Sequence, residues 1–210
     1  MVSFQGSFTA IVAGPTCSGK STWIRKLLTN VDRLITPPVA KIYYCYGVYQ
    51  QDFAELRQNP LITLVEGPPD MHMLQENVDQ HKLVILDDLL TDLKDSKMLT
   101  DLYVRGSHHF NISIISLVQN AFYGNRTMRV NCTYLVLLRN PSDGLQIRTL
   151  ARQLFPDNWQ HLLEAYQDAT DKPYGYLVIN NHAQAPSNLR LLTKIFPDED
   201  GPIVYSAKTL

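Results

Sequence analysis

Residues 11 to 23, IVAGPTCSGKSTW, constrain this chain more than any other stretch. An apolar run enters Gly14-Pro15-Thr16-Cys17-Ser18-Gly19-Lys20-Ser21, a full match to the phosphate-loop pattern G-x-x-x-x-G-K-[ST], and an amphipathic helical pattern leaves it. Gly14 and Gly19 permit backbone angles and a close approach that a side chain would forbid, so successive N–H groups can converge on phosphate oxygens. Lys20 brings a point charge to the β- and γ-phosphates and Ser21 a hydroxyl for Mg²⁺. The positive end of the helix starting near Lys20 adds to both. The expected nucleotide-binding set is Gly14, Pro15, Thr16, Cys17, Ser18, Gly19, Lys20, Ser21 and Thr22, with ATP and Mg²⁺ as ligands. Such a loop says that a nucleoside triphosphate is held. It does not say what is done with the energy.

Periodicity supplies the frame. Strands are expected at Phe8–Ala13, Lys41–Tyr46, Ile62–Val65, Leu83–Asp87, Ile112–Val118, Tyr134–Leu138 and Tyr176–Ile179. Several are continuous apolar runs, as in strands covered by helices on both faces. Helices are expected at Lys20–Thr29, Met71–Asp79, Lys94–Arg105, Asp143–Leu154 and Asn158–Ala169. In the last, Trp159, Leu162, Leu163 and Tyr166 recur at helical spacing. This alternation predicts an α/β fold: a P-loop NTPase three-layer sandwich with a mainly parallel central sheet. The ATPase domain is expected over residues 1–185. The turn-rich tail 186–210 reads as an arm or edge strand of the same domain.

Two further strand ends bear on chemistry. In HKLVILDDLL, an apolar run delivers Asp87 and Asp88 to the end of a buried strand, the Walker B form. Asp87 is placed to hold Mg²⁺ and Asp88 to polarise an attacking water. In NISIISLVQN, a second buried strand ends at Gln119-Asn120, where an amide can orient that water against the γ-phosphate. Taken alone, either pair also suits a helix cap or a turn. Lys41–Tyr46 is read as an extra strand between the phosphate-loop and Walker B strands. With a polar strand end following, it selects the division of P-loop ATPases in which an acidic residue activates water.

Bulk properties narrow the classes. With 210 residues, one compact domain is the default. A net charge of −1 draws the whole molecule toward no nucleic acid. Locally the chain is polarised: residues 119–155 hold five arginines against Asp143, and residues 62–101 nine acids against three lysines. Cys17, Cys45 and Cys132, odd in number and widely spaced, read as reduced thiols of an intracellular protein. On that reading the sequons at Asn111, Asn125 and Asn131 go unused. The adjacent His108 and His109, with no carboxylate three or four residues on, suit a loop or strand entry better than a metal ligand. No apolar run approaches the roughly 20 residues of a membrane span. Tyr43, Tyr44, Tyr46 and Tyr49 suit packing of sheet against helix, with stacking on a base as the other possibility.

With these motifs in order, the chain resembles the FtsK–HerA superfamily. It looks most like the genome-packaging ATPases of large DNA viruses and of Polinton (Maverick) virus-like elements. The resemblance rests on GPTCSGKST, KIYYCYGVYQ, LVILDDLL, RGSHHFNISIISLVQN, LLRNPSD and ARQLFPDN, from about residue 9 to residue 180. It implies a motor that assembles as a ring-shaped homo-oligomer around double-stranded DNA. The motor would push DNA into a preformed capsid by way of a capsid vertex or portal component. Its place would be inside the host cell, in nucleus or cytoplasm, or with the virion, and on no membrane.

The resemblance assigns catalytic roles to Lys20, Asp88 and Gln119, and metal binding to Ser21 and Asp87. It further implies an arginine donated by the neighbouring subunit. Arg105 is the first choice, with Arg126, Arg129, Arg139 and Arg148 also open. Arg126 and Arg129 are candidate DNA contacts in a pore. Alternatively, the basic and acidic faces meet each other between subunits. Two other readings of the whole chain remain at this level: a nucleoside or nucleotide kinase, and a nucleotide-binding switch with little turnover. The paired aspartates and the strand-end glutamine, which serve water better than an acceptor hydroxyl, favour hydrolysis.

Overall fold

A computed structural model describes residues 3–51, 53–89, 102–103, 110–121 and 132–207. The phosphate-loop strand β2 (Thr9–Ala13) is buried at every position, as its unbroken apolar run requires. It lies inside a nine-stranded sheet. On one side of it come β7 (Ile112–Val118), β6 (Lys82–Asp87), β4 (Lys41–Tyr46) and β5 (Ile62–Glu66). On the other side come β8 (Tyr134–Leu138), β9 (Tyr176–Asn180), β10 (Leu191–Thr193) and β11 (Ile203–Val204). The strands from β5 across to β8 all run parallel. β9, β10 and β11 then alternate antiparallel. A separate parallel pair joins β1 (Phe4–Gln5) to β3 (Ile35–Thr36).

The pleat sends alternate residues of each strand to opposite faces, which divides the core in two. Ala10 and Val12 of β2, with Tyr44 and Tyr46 of β4, pack against Trp23, Ile24, Leu27 and Leu28 of α1 (Lys20–Thr29). Ile11 and Ala13 face the other way, toward Ile147, Leu150 and Ala151 of α5 (Gly144–Leu154) and Leu162 and Ala165 of α6 (Trp159–Ala169). Three layers result, a helix-covered sheet on both faces. The short helices α2 (Val31–Leu34), α3 (Phe53–Leu56) and α4 (Met71–Gln75) fill the connections.

Two expectations change. The strand that stands between the phosphate-loop and Walker B strands is β7, which pairs with both. Lys41–Tyr46 comes between them along the chain, yet in the sheet it lies beyond β6. Chain order gave no access to this because parallel strands are joined by crossovers that can skip a neighbour. The helix expected at Met71–Asp79 ends at Gln75, since Glu76 is extended and Asn77 takes φ 48°. The expected helix Lys94–Arg105 lies outside the described residues except at Leu102 and Tyr103. Both are buried, and the Tyr103 hydroxyl lies 2.6 Å from that of Ser116.

The tail extends the sheet as β10 and β11 and contributes to the core. Phe196 is 1% exposed and meets the rings of Trp23 and Tyr176 at 5.6 and 5.7 Å. Deleting so large a buried ring leaves a cavity between the tail and α1. Phe196→Ala is expected to lower the unfolding free energy by about 3–5 kcal/mol in urea titration.

Candidate functional site

The register of the parallel strands decides which residues share one end of the sheet. Ala13 of β2 pairs with Val118 of β7, and Asp87 of β6 pairs with Leu117 of the same strand. The phosphate loop, Gln119 and the two aspartates therefore leave neighbouring strands at one level. A backbone bond fastens the first two of these ends, the Gly14 N–H donating to the Val118 carbonyl at 3.1 Å.

The loop is closely built. A Cβ on Gly14 would stand 2.4 Å from Ser18 Oγ and 2.9 Å from Leu138 Cβ. Cys17 and Gly19 take left-handed backbone, with φ 62° and 109°. Gly19 begins α1 without a side-chain cap, so the first-turn N–H groups remain available to an anion. The half-buried Lys20 ammonium donates to the Gly14 carbonyl at 2.6 Å and the Pro15 carbonyl at 3.0 Å. Burial lowers its pKa, against the opposing pull of Asp88, then of Asp87 and Cys17. Three negative or ionisable groups thus face a cation whose hydration is already reduced. Pro15, Thr16, Ser18, Ser21 and Thr22 complete the turn and the first helical positions; Thr16, Cys17 and Thr22 are exposed.

Asp87 and Asp88 differ sharply in environment. Asp87 is half-buried, and one carboxylate oxygen accepts a 2.7 Å bond from the Tyr44 hydroxyl. Burial pushes the Asp87 carboxyl upward in pKa. The Tyr44 bond opposes this, the charge of Asp88 adds to it, and Lys20 opposes it. Asp88 is exposed and takes φ 57°, a left-handed turn that Asp tolerates better than most residues. Of the two aspartates, Asp88 acts the more strongly on Lys20. Gln119 is exposed at the tip of β7.

Tyr44 is a functional candidate that sequence reading assigned to packing. It does pack, 1% exposed with its ring centroid 5.2 Å from that of Phe53. Its hydroxyl, however, ends on the Walker B carboxylate. The available signal was the rule that a buried tyrosine hydroxyl needs a polar partner, on a strand lying beside the Asp87 strand.

Of the candidate arginines, Arg139 and Arg148 are among the described residues. Arg105, Arg126 and Arg129 lie outside the described residues. Arg139 is exposed beyond β8, its guanidinium donating to the Asp171 carbonyl at 3.4 Å. Arg148 is exposed on α5, and Arg152 lies over the Trp159 ring at 4.7 Å. Among the described residues, no group of three or more His, Cys, Asp or Glu is arranged to hold a metal. Ser21 and Asp87 provide one hydroxyl and one carboxylate, hard oxygen donors of the kind Mg²⁺ takes when phosphates and water complete its shell. No helix among the described residues is long and apolar enough to cross a membrane.

A family model described as Poxvirus A32 protein matches residues 4–191. No curated protein is detectably similar in sequence. Among solved structures, the DNA-packaging ATPase B204 from Sulfolobus turreted icosahedral virus is 10% identical, with a TM-score of 0.59 over 98% of this chain and 100% of that one. The genome packaging NTPase B204 of Sulfolobus turreted icosahedral virus 2, in complex with ATP-gammaS, is 12% identical with a TM-score of 0.56, covering 85% of this chain and 94% of that one. EssC (ATPases 2 and 3) from Geobacillus thermodenitrificans is 16% identical with a TM-score of 0.62, over 92% of this chain and 40% of that one. At such identities the likeness is one of fold. It places this chain among P-loop ATPase structures.

The crowding at Gly14 can be tested against a glycine with room to spare. Gly14→Ala is expected to lower stability by about 1–3 kcal/mol and to abolish ATP binding in calorimetry. Gly144→Ala, where an added Cβ meets nothing within 4 Å, is expected to leave both unchanged.

Proposed function

The chain belongs to the poxvirus A32 protein family, and on that premise we propose that it hydrolyses ATP to drive double-stranded DNA into a viral or virus-like capsid. The observation that bears most weight is the shared level of three strand ends: phosphate loop, paired aspartates and glutamine. The likeness in fold to proteins described as packaging ATPases supports the same reading. We assign residues 1–185 to the ATPase domain and the tail 186–210 to the same domain as its arm or edge strand, a reading supported by β10 and β11 in the common sheet.

In the proposed reaction, Lys20 exchanges its bonds to the Gly14 and Pro15 carbonyls for β- and γ-phosphate oxygens. The loop N–H groups and the start of α1 take the remaining phosphate charge. Ser21 and Asp87 are the residues that would hold Mg²⁺, and Tyr44 fixes the Asp87 carboxylate from the adjacent strand. Magnesium, when bound, draws charge from the phosphate oxygens. Asp88, exposed at the end of β6, accepts a proton from the attacking water, which Gln119 orients. The water oxygen bonds to the γ-phosphorus as the bond to the bridging oxygen breaks, giving ADP and inorganic phosphate.

Movement of DNA needs more than one copy. We assign the chain to a ring-shaped homo-oligomer in which Arg105 of one subunit reaches the γ-phosphate held by the next. Such arginines contribute about 10³–10⁵ in rate in related phosphate-loop enzymes. Arg126 and Arg129 line the pore and bind backbone phosphates without reading sequence. The ring works at a capsid vertex or portal, where virions assemble in the host nucleus or cytoplasm.

Phosphate release measured with and without duplex DNA tests this reading. Turnover should rise with DNA and vanish in Lys20→Ala, and Asp88→Asn should slow it by about 10²–10⁴-fold. Transfer of phosphate to an added nucleoside would instead identify a kinase, and tight ATP binding without turnover a switch. Tyr44→Phe, which keeps the packed ring and removes the bond to Asp87, should raise the Mg²⁺ concentration for half-maximal turnover by about tenfold. It should leave ATP binding without Mg²⁺ unchanged.

A further inference from the structure

Both glycines of the phosphate loop rest on one side chain. A Cβ added at Gly14 would stand 2.9 Å from Leu138 Cβ, and one added at Gly19 would stand 3.3 Å from Leu138 Cδ2. Leu138 is buried and is the last residue of β8, which flanks β2 on the side away from Gln119. Beyond it the chain turns through Arg139-Asn140-Pro141-Ser142-Asp143 into α5. The proposed reaction gives this turn no part.

It is tied down more firmly than a connection requires. The Tyr166 hydroxyl, reaching from α6, donates to the Leu138 carbonyl at 3.1 Å and accepts from the Asn140 N–H at 3.0 Å. One hydroxyl, as donor and acceptor together, thus closes the backbone on both sides of Arg139. Asn140 commits both ends of its amide to the turn. Its Oδ1 accepts from the Ser142 N–H at 3.2 Å, and its Nδ2 donates to the Asp143 carboxylate at 2.8 Å. Asp143 precedes α5, where an aspartate side chain ordinarily accepts from the first helical N–H groups, yet it makes no cap bond. Its buried carboxylate is bonded back to Asn140 instead. The turn also borders the loop directly. Asn140 and Asp143 line, with Gly14 and Asn120, a cavity of about 10 Å³, room for one water at most.

We propose that Tyr166, Asn140 and Asp143 are positioning residues for the phosphate loop: by fixing the tip of β8 they hold Leu138 against Gly14 and Gly19 and keep the loop in the shape that grips a triphosphate. The inference rests on the reading that residues 14–21 bind the triphosphate. The three residues act at one remove, through Leu138 and the loop backbone. N–H groups that converge on an anion bind it best when they are held in place beforehand, because a loop that must be ordered on binding loses part of the interaction energy. With left-handed backbone at Cys17 and Gly19, the loop departs from strand and helix geometry and takes its support from the elements packed against it.

Calorimetric titration of the full chain with inorganic tripolyphosphate reads the loop directly, and urea titration of the same variants reads stability separately. Tyr166→Phe keeps the ring on α6 and deletes both bonds to the turn. It should weaken tripolyphosphate about three- to tenfold. Asp143→Ala should weaken it by a similar factor. Asp143→Asn keeps an oxygen that accepts from Asn140 and should bind as tightly as the wild type. Unchanged affinity in both Tyr166→Phe and Asp143→Ala, whatever their loss of stability in urea, would mean that the turn is merely structural and overturns the proposal. So does an equal loss in Asp143→Asn and Asp143→Ala, since the bond to Asn140 would then not be what matters. If Lys20→Ala binds tripolyphosphate at full strength, the triphosphate reading itself fails, and the proposal with it.

Discussion

The pairing of β2 with β7 is the constraint on which the rest of the site depends. Five consecutive residue pairs hold these strands in parallel register, and the Gly14 N–H extends the ladder one bond beyond it to the Val118 carbonyl. The phosphate loop therefore starts from the same carbonyl that precedes Gln119. Because β7 also pairs with β6 over six positions, the aspartates are fixed at that level by a second ladder. A shift of one residue in either ladder would exchange the side chains packed on one face of the sheet with those packed on the other, so the fit of each set to its own helices keeps the register. The chemistry at the sheet's end inherits its geometry from apolar packing well below it.

Electrostatics at the strand ends then differentiate residues that look alike in sequence. Asp87 and Asp88 are adjacent, yet the first is half-buried and bonded to Tyr44, and the second is exposed on a left-handed backbone. One is restrained as a metal ligand needs to be; the other is open to solvent, as a group that handles water needs to be. Lys20 sits between burial, which disfavours its charge, and the two aspartates, which favour it. Its bonds to the Gly14 and Pro15 carbonyls are made within the loop itself, the partners that the proposed reaction exchanges for phosphate oxygens.

The sequence made much of this legible, for identifiable reasons. Lys41–Tyr46, Ile112–Val118 and Tyr134–Leu138 have the bounds expected of them, because buried parallel strands are predominantly apolar runs bounded by polar or turn residues. The helix Lys20–Thr29 likewise has its expected bounds, following from the amphipathic pattern that leaves the phosphate loop. Spatial order was not legible: β7 rather than β4 separates the phosphate-loop and Walker B strands. Nor were partnerships across strands, such as Tyr44 with Asp87, since a side chain's hydrogen-bond partner depends on neighbours distant in the chain.

Crystals grown with ATPγS and magnesium test the central claim most directly, by showing where the terminal phosphate lies relative to the strand tips. The account predicts that Lys20 leaves the Gly14 and Pro15 carbonyls to contact the β- and γ-phosphates, with Asp88 and Gln119 facing a water in line with the γ-phosphorus. A triphosphate bound elsewhere, or strand tips turned away from its last phosphorus, would contradict it.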